Sequence, residues 1–490
     1  MSILKQLSHY HTKNIHIVGI GGAEGSAIAE FLVANGISSI TGHDFSSKDD
    51  FRKAFNDTHL SLKSKERENA LNHLLNLPIK VNFKENYLKD VENADIVFVS
   101  QVWFKYSQNM PILKELKDKG VPFKTITNLY FELAPCKVIS VTGTNGKTTT
   151  ARLINSIFEV WAKKSGKSKA YFAGNDRQNI QALDKLGEMK KDDVLILETS
   201  STQLLLNSGI SPHIGVITNI TPNHIDDHGS FENYIEAKKN LIRFQKRGDF
   251  AVLNYDNAET RRISEEFKDN TFLFSRKKEL EEGCFVRGNE ILIRKKGKEE
   301  KLLNVSDINL LGKHNLENVL AAASSAFLYG IDPETIRKGI SKYSGIKHRL
   351  KLIYNINGIR YYDDTQATTP EATISGLEAF DDDIILLAGG DDKGMNYGDL
   401  AKKISEKIKF LILFPGDASD NIEALLDRND MELVRVENMN GAIDYLKKYY
   451  RKTAVKKGSV VLISPASAHF YSKYVEKSGK DLKEWIRILS

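Results

Sequence analysis

"VISVTGTNGKTTTARLINSIF", Val138 to Phe158, decides how the rest of the chain is read. A β-prone run gives way to a turn with Gly143 and Gly146, and Lys147-Thr148 then opens a stretch of helical periodicity. A strand that turns through glycines into a helix is the form of a phosphate loop. Glycine lets backbone N–H groups close on phosphate oxygens, and the helix N-terminus adds partial positive charge. Read this way, Gly143, Thr144, Asn145, Gly146, Lys147, Thr148 and Thr149 cradle the nucleotide. Lys147 reaches the outer phosphates and the Thr148 hydroxyl sits on Mg²⁺. The spacing G-x-x-x-x-G-K-[ST] asks for glycine at 141, where Val141 stands, so the loop is a compressed relative of that motif. The alternative is a tight turn with a chance lysine. The strand before and the helix after argue against it.

Working outward, short apolar runs alternate with helical ones on both sides. Upstream, "NIHIVGIGG", "SSITGHD" and "ADIVFVSQ" read as strands and "AIAEFLVANG" as a helix closed by Gly36. Ser46 to Leu77 is charged and helix-prone, an exposed helical insertion. Downstream come "DVLILETS" and "HIGVITNI", then hairpins with charged tips from about Phe250 to Val305, then an amphipathic helix, "LGKHNLENVLAAASSAFLYG". Last come "DIILLAGG", "FLILFPG" and "SVVLISPAS", each ending in Gly or Ser/Pro. Alternation of this kind predicts an α/β protein with parallel, doubly wound sheets and functional loops at the strand C-termini. Three domains are expected: a Rossmann-like one over 1–135, a central P-loop ATPase-type sheet over 136–345, and a second Rossmann-like one over 346–490. Pro135 makes the first linker.

Composition narrows the function classes. The 490 residues hold 70 Lys+Arg against 64 Asp+Glu, a formal charge of +6 spread along the chain, so nucleic acid is not expected. No run approaches a membrane span, and the N-terminus lacks a signal-peptide apolar core. Cys136 and Cys284 form neither a metal-ligand spacing nor a disulfide framework, which fits a reducing cytoplasm. A cytoplasmic monomer acting on small molecules is expected.

"GIGGAEGSA" approximates G-x-G-x-x-G, but Glu24 stands where the third glycine belongs and Gly25 follows. A carboxylate is a poor neighbour for a pyrophosphate, so an ordinary NAD site is not expected, although Ser26 and another nucleotide are compatible with this edge. Asp44 ends the second strand, where binding a ribose or base and closing a simple turn are equally good readings. Glu198 ends "DVLILE", a hard oxygen ligand suited to Mg²⁺ beside a P-loop threonine. His224 follows another strand end, beside Asp226, Asp227 and His228. Lys238 and Lys239 lie on a helix, and on their own they read as solvated.

Taken in order, "VTGTNGKTTT", "ETSSTQL", "TNITPNHIDDHGSFENYIEAKKNLI", "LGKHNLENVLAA", "HRL", "YYDDTQATTPEAT", "LAGGDDKG" and "LISPASA" resemble the Mur ligases. These are ATP-dependent amino-acid ligases of peptidoglycan precursor synthesis, tied to cell-wall biogenesis, cell shape and cell division. "ETSSTQL" is most similar to the glutamate-adding branch, whereas "IHIVGIGG" looks more like the alanine-adding one. The resemblance implies that glutamate is joined to UDP-N-acetylmuramoyl-L-alanine through an acyl phosphate, with ATP and two Mg²⁺ ions. Thr148 and Glu198 match the first metal site, and His224 and a carbamylated Lys238 the second. Tyr234 fixes the register, leaving Lys239 a surface lysine. Asn175 matches a residue near the UDP-sugar, and Asn318, Arg349 and Asp364 match the ATP pocket. Thr368, Lys393, Ser467 and His469 match the amino-acid side, contributed by a C-terminal domain that must close. The hydroxyls of "DDTQATTPEAT" then read as glutamate contacts.

Two departures fall in that pocket. Gln366 stands for a lysine and Thr369 for an asparagine, and His469 stands for a serine that helps hold glutamate. They raise the expectation of an altered acceptor, L-glutamate among the candidates. A folylpolyglutamate-type ligase should lack the residues before the P-loop. A nucleotide-binding regulator should have lost Glu198, His224 and Lys238.

Overall fold

The apolar runs build three separate sheets. A computed structural model of the chain describes residues 3–59, 62–101, 103–175, 181–206, 209–308, 310, 312–343, 345, 348–392, 394–427, 431–452 and 458–489. The first sheet comprises β1 (Ile15–Val18), β2 (Ile40–His43), β3 (Lys80–Asn82), β4 (Ile96–Val99) and β5 (Phe123–Lys124) in the order β3-β2-β1-β4-β5. All its pairings are parallel. "ADIVFVSQ" is therefore the fourth strand, not the third. The short β3 and β5 carry too few apolar residues to show in the sequence. The insertion after β2 is helical as expected, over Phe51–Thr58 and Ser64–Leu75. It is not wholly exposed, because Phe51, Phe55, Leu71 and Leu74 anchor it in the core.

The second sheet contains β6 (Lys137–Thr142), β7 (Ala170–Gly174), β8 (Val194–Glu198), β9 (Ile214–Ile217), β10 (Phe250–Asn254), β11 (Thr271–Ser275), β12 (Gly283–Arg287), β13 (Glu290–Lys295) and β14 (Lys298–Asn304). Their order is β14-β13-β12-β11-β10-β9-β6-β8-β7. Strands β6 to β12 pair in parallel, and only β12-β13-β14 form an antiparallel meander. The hairpin expectation for Phe250 to Val305 thus holds from Gly283 onward. Before that, the helix Ala258–Glu266 joins β10 to β11 as a crossover, because parallel strands cannot be joined by a tight turn. β6 lies between β8 and β9, so the strand order reverses at the phosphate loop, where crevices open in such sheets.

The helix Lys313–Tyr329 is a core helix rather than an amphipathic one. Residues 318–326 are buried around its whole circumference. Ser324 and Ser325 are accommodated because each hydroxyl donates back to a carbonyl oxygen of the same helix, Leu320 and Ala321, both at 2.8 Å.

The chain forms two compact units, Met1–Asp307 with Glu317–Lys342, and Ile308–Leu316 with Tyr343–Ser490. The first two sheets share one unit because a single apolar core runs from Ile15 and Ile17 through Tyr130 and Leu133 to Leu195 and Leu197. The second unit holds β15 (Lys351–Ile356), β16 (Ile359–Asp363), β17 (Ile384–Gly389), β18 (Ile408–Phe414), β19 (Glu432–Arg435) and β20 (Val460–Ile463), ordered β15-β16-β20-β17-β18-β19. β15 and β16 form an antiparallel hairpin and the remainder pair in parallel. Among the described residues, no helix is long and apolar enough to cross a membrane.

Candidate active site

The phosphate loop joins β6 to the helix Lys147–Ser165. Gly143 (φ +155°) and Gly146 (φ +84°) both have left-handed backbone. A Cβ on Gly143 would lie 1.9 Å from Thr218 Oγ1, and one on Gly146 2.3 Å from Asn318 Oδ1. Residues just after β9 brace the loop: the Thr144 amide donates to Asn219 O (2.9 Å), and Thr218 Oγ1 donates to Asn145 O (2.6 Å). Lys147 curls over it, its ammonium donating to Gly143 O and Thr144 O, both at 3.0 Å. Thr148 is half-buried and Thr149 buried in the first helical turn. Asn318 is buried, accepts from Thr150 Oγ1 at 3.2 Å and supports the loop from beneath.

Behind the loop lies the helix Phe231–Lys239. Tyr234 and Lys238 are four residues apart and share a face. The Tyr234 hydroxyl is 3.1 Å from Thr144 Oγ1, and Lys238 Nζ sits 4.6 Å from the Tyr234 ring centroid. Lys238 is 1% exposed, and its Nζ donates to Gly143 O at 2.9 Å and to Thr142 Oγ1 at 3.3 Å. Burial, then the charge of Lys147, pushes its ammonium well below the usual lysine range, favouring the free amine. Lys239 is not the surface lysine expected. It too is buried, but its charge is matched by Glu236 (2.7 Å) and Glu266 (2.6 Å).

Glu198 ends β8, 3% exposed, between Val141 of β6 and Gly174 of β7. His224 stands exposed at the start of a short helical turn in left-handed conformation (φ +53°). Its Nδ1 lies 2.9 Å from Asp227 Oδ2, and its ring centroid is 6.3 Å from that of Tyr234. His228 is buried instead, with Nε2 3.1 Å from Ser201 Oγ, and burial above all lowers it to about 4. Among the described residues, no three His, Cys, Asp or Glu side chains converge as a metal cluster. The expected donor set does not require one. It combines a threonine hydroxyl, one carboxylate, one imidazole and an amine able to take up CO₂, which is oxygen-rich chemistry suited to Mg²⁺.

On the first sheet, Gly25 takes over the role of the displaced third glycine. A Cβ there would lie 2.3 Å from Gly19 O, so helix and turn pack backbone to backbone. This one-residue shift turns Glu24 inward. Its Oε1 accepts from Gln101 Nε2 (2.9 Å) and Gln203 Nε2 (2.7 Å), joining the first sheet to the second. Neither glutamine was singled out from sequence. Gln101 Nε2 also donates to Asn175 Oδ1 at 2.6 Å. Asp44 closes a turn, accepting from Gly21 N (3.0 Å) and Ser46 Oγ (2.7 Å). The Ser26 hydroxyl is engaged by His59 Nε2 at 3.0 Å, and Ser26, although buried, is among the residues that line a cavity with Ala23, Glu30 and His73.

Burial raises the Glu24 carboxyl to about 7. From its ordinary value of 4.5 up to about 7, the folded chain holds a proton that the unfolded chain has lost. Stability contributed by Glu24 is therefore present below pH 4.5 and is lost as pH rises towards 7. Glu24→Gln keeps the shape and the acceptor. It should leave stability at pH 4.5 unchanged and add on the order of 3 kcal/mol at pH 8. Denaturant unfolding at the two pH values measures this, and equal effects at both would contradict it.

In the second unit, Asp364 is buried, accepting from Leu350 N (3.0 Å) and Ser464 Oγ (2.7 Å), and burial lifts its carboxyl to about 7. The exposed Arg349 lies close enough for its charge to oppose that rise. Asp363 pairs with His348 Nδ1 at 2.7 Å and accepts from Thr365 Oγ1 at 2.8 Å. Most hydroxyls of this loop do not face a ligand. Thr369 caps the helix Pro370–Leu377 by accepting from Ala372 N, and Thr373 Oγ1 lies within hydrogen-bond distance of Ser464 Oγ at 3.0 Å. Thr368 remains half-buried on the turn. Ser467 is fully buried and donates to Gly389 O at 2.6 Å, so it builds the glycine loop after β17 instead of lining a pocket. His469 is exposed with left-handed backbone (φ +61°). Lys393 lies outside the described residues.

Residues 141–326 match the Mur ligase middle domain, and residues 348–467 match the Mur ligase glutamate ligase domain. The UDP-N-acetylmuramoylalanine–D-glutamate ligase of Acetivibrio thermocellus is 36% identical over 85% of this chain and 88% of its own length. The enzyme of the same name from Caldanaerobacter subterraneus subsp. tengcongensis is 33% identical over 96% of this chain and 97% of its own. Among solved structures, the UDP-N-acetylmuramate–alanine ligase of Thermotoga maritima superposes with a TM-score of 0.54 at 20% identity, covering 95% of this chain and 99% of the other. At that identity the likeness concerns the fold alone.

Proposed function

Because the chain belongs to the Mur ligase family of ATP-dependent amide-forming ligases, we propose that it joins glutamate to UDP-N-acetylmuramoyl-L-alanine in cytoplasmic peptidoglycan precursor synthesis. The observation that carries this is the Lys238 amine, buried against the root of a phosphate loop. We assign residues 1–135 to the UDP-sugar, 136–345 to ATP and 346–490 to the amino acid, in a protein acting as a monomer.

In the proposed reaction, the substrate carboxylate attacks the γ-phosphorus and ADP leaves. The glutamate amine then adds to the acyl phosphate carbon, and the tetrahedral intermediate expels phosphate. Like charges must be held close, and two anions ~4 Å apart repel by about 4 kcal/mol at an intermediate effective dielectric. Lys147 and the N-terminal amides of its helix offset that repulsion where charge builds on the transferring phosphoryl group. One Mg²⁺ would be held by Thr148 and Glu198 and a second by His224 and a carbamate on Lys238; bound there, the ions neutralise phosphate charge. Asn175, held by Gln101, is assigned to the UDP-sugar, and Asn318, Arg349 and the turn closed by Asp364 to ATP. Thr368, Lys393 and His469 are assigned to glutamate. Phosphate release that requires ATP, UDP-N-acetylmuramoyl-L-alanine and D-glutamate together, with the product mass of the condensed peptide, tests this. Release without either co-substrate would refute it.

A second reading concerns the acceptor. Gln366 supplies no charge where a lysine is expected, and the exposed His469 directly follows Ser467 and Ala468, which pair with the loop after β17. Both differences favour an altered acceptor, L-glutamate first. Parallel assays with D-glutamate, L-glutamate and D-aspartate decide, and a strong D-glutamate preference would remove this reading.

A further inference from the structure

The geometry points to Asp227 as a positioning residue that fixes the tautomer and direction of the His224 ring, held in place by Lys105 from the first sheet. The inference rests on the assignment of His224 as a metal ligand. Asp227 lies within the short helical turn Ile225–His228 that His224 opens. Its side chain is 3% exposed, although the three residues before it, His224, Ile225 and Asp226, are exposed. One carboxylate oxygen lies 2.9 Å from His224 Nδ1 and the other pairs with the Lys105 ammonium. Lys105 ends a turn, Trp103–Lys105, that follows β4 and is anchored by the buried Trp103.

A carboxylate can only accept, so the imidazole nitrogen facing it carries the proton. That leaves Nε2 with its lone pair directed away from Asp227, the form in which a neutral histidine binds a cation. His224 sits on an exposed turn with left-handed backbone, and its side chain is about half exposed. An orienting hydrogen bond therefore matters more here than for a buried ligand. Lys105 in turn keeps the carboxylate from swinging to solvent. Orientation of this ligand thus depends on the loop after β4, at the C-terminal edge of the first sheet, where that sheet would take its substrate.

The test uses the full chain with bicarbonate, Mn²⁺ as the probe, and ¹⁵N-labelled histidine. In the wild type, His224 should show the Nδ1–H tautomer. Asp227→Ala should convert it to a mixture and weaken Mn²⁺ binding roughly 10–100-fold, the usual effect of losing an orienting partner. Asp227→Asn retains a carbonyl acceptor and should recover most of both. Lys105→Met should shift both readouts in the same direction by less. His224→Ala serves as the reference. If it leaves Mn²⁺ binding intact, the ligand assignment itself fails. If His224→Ala weakens binding while Asp227→Ala changes neither tautomer nor affinity, the positioning role is overturned.

Discussion

Lys238→Ala is expected to lower kcat by roughly 10²–10³-fold, the scale set by losing one preorganised electrostatic group, and added bicarbonate should restore part of it. The reasoning starts from burial. A lysine 1% exposed, with its Nζ on Gly143 O, cannot keep its proton cheaply, and the Lys147 charge nearby opposes protonation further. In the proposed carbamylation the free amine would add to CO₂, its lone pair forming the N–C bond as a C=O π pair moves onto oxygen and one N–H proton leaves to solvent, so that a neutral amine becomes a carbamate anion. At the root of a phosphate loop this reverses the electrostatics. An ammonium would repel Mg²⁺, whereas a carbamate supplies oxygen donors. Alanine leaves a gap that a small carboxylate-like anion can enter. Lys238→Met fills the gap with apolar atoms, so it should be equally inactive and not rescued. ¹³C-bicarbonate should give a carbamate carbon signal in the wild type that both variants lack. Wild-type kcat in Lys238→Ala, or no carbamate signal in the active enzyme, would reject the proposal.

What could be read from sequence follows how local each feature is. Gly143, Gly146 and the helix after them form a self-contained motif, and the strands around them are short apolar runs, so the α/β class was legible. Lys238 and Lys239 are adjacent and chemically identical. Only the four-residue step from Tyr234 separates them, because it turns Lys238 to the loop. The burial of Lys239 was not legible, since Glu266, its partner, comes from the next crossover helix. Hydroxyls were the least legible groups. Thr365, Thr369 and Ser467 spend theirs on a carboxylate, a helix cap and a carbonyl. Nothing in a sequence distinguishes such a hydroxyl from one facing a substrate. Glu24 stands out of place in the sequence, but its inward turn depends on Gly25 meeting Gly19 and on Gln203 from the short helix Ser201–Leu204 after β8.

Gly174→Ala is expected to destabilise the first unit by about 3 kcal/mol or more and to weaken Mn²⁺ binding. Gly174 ends the edge strand β7 at φ +136°, directly beside Glu198 of β8. A Cβ there would lie 2.3 Å from Glu198 O, 2.5 Å from its N and 2.9 Å from its Cα. All three are backbone atoms of a buried strand, so no side chain can rotate to relieve the overlap, and overpacking of this kind costs about 1–3 kcal/mol before the φ penalty is added. β7 has only one neighbour in the sheet and must move away. That motion breaks the bond from the Asn175 amide to Glu198 O (3.0 Å) and shifts both the carboxylate assigned to Mg²⁺ and the side chain assigned to the sugar. Gly166→Ala is the internal control. Gly166 is also left-handed (φ +65°), but a Cβ there meets nothing within 4 Å. It should cost only about 1 kcal/mol, the usual price of left-handed backbone at a non-glycine residue, with metal binding unchanged. Denaturant unfolding and Mn²⁺ titration of the two variants side by side separate backbone strain alone from strain transmitted to Glu198. Equal behaviour of the two would show that the β7–β8 contact does not govern the site.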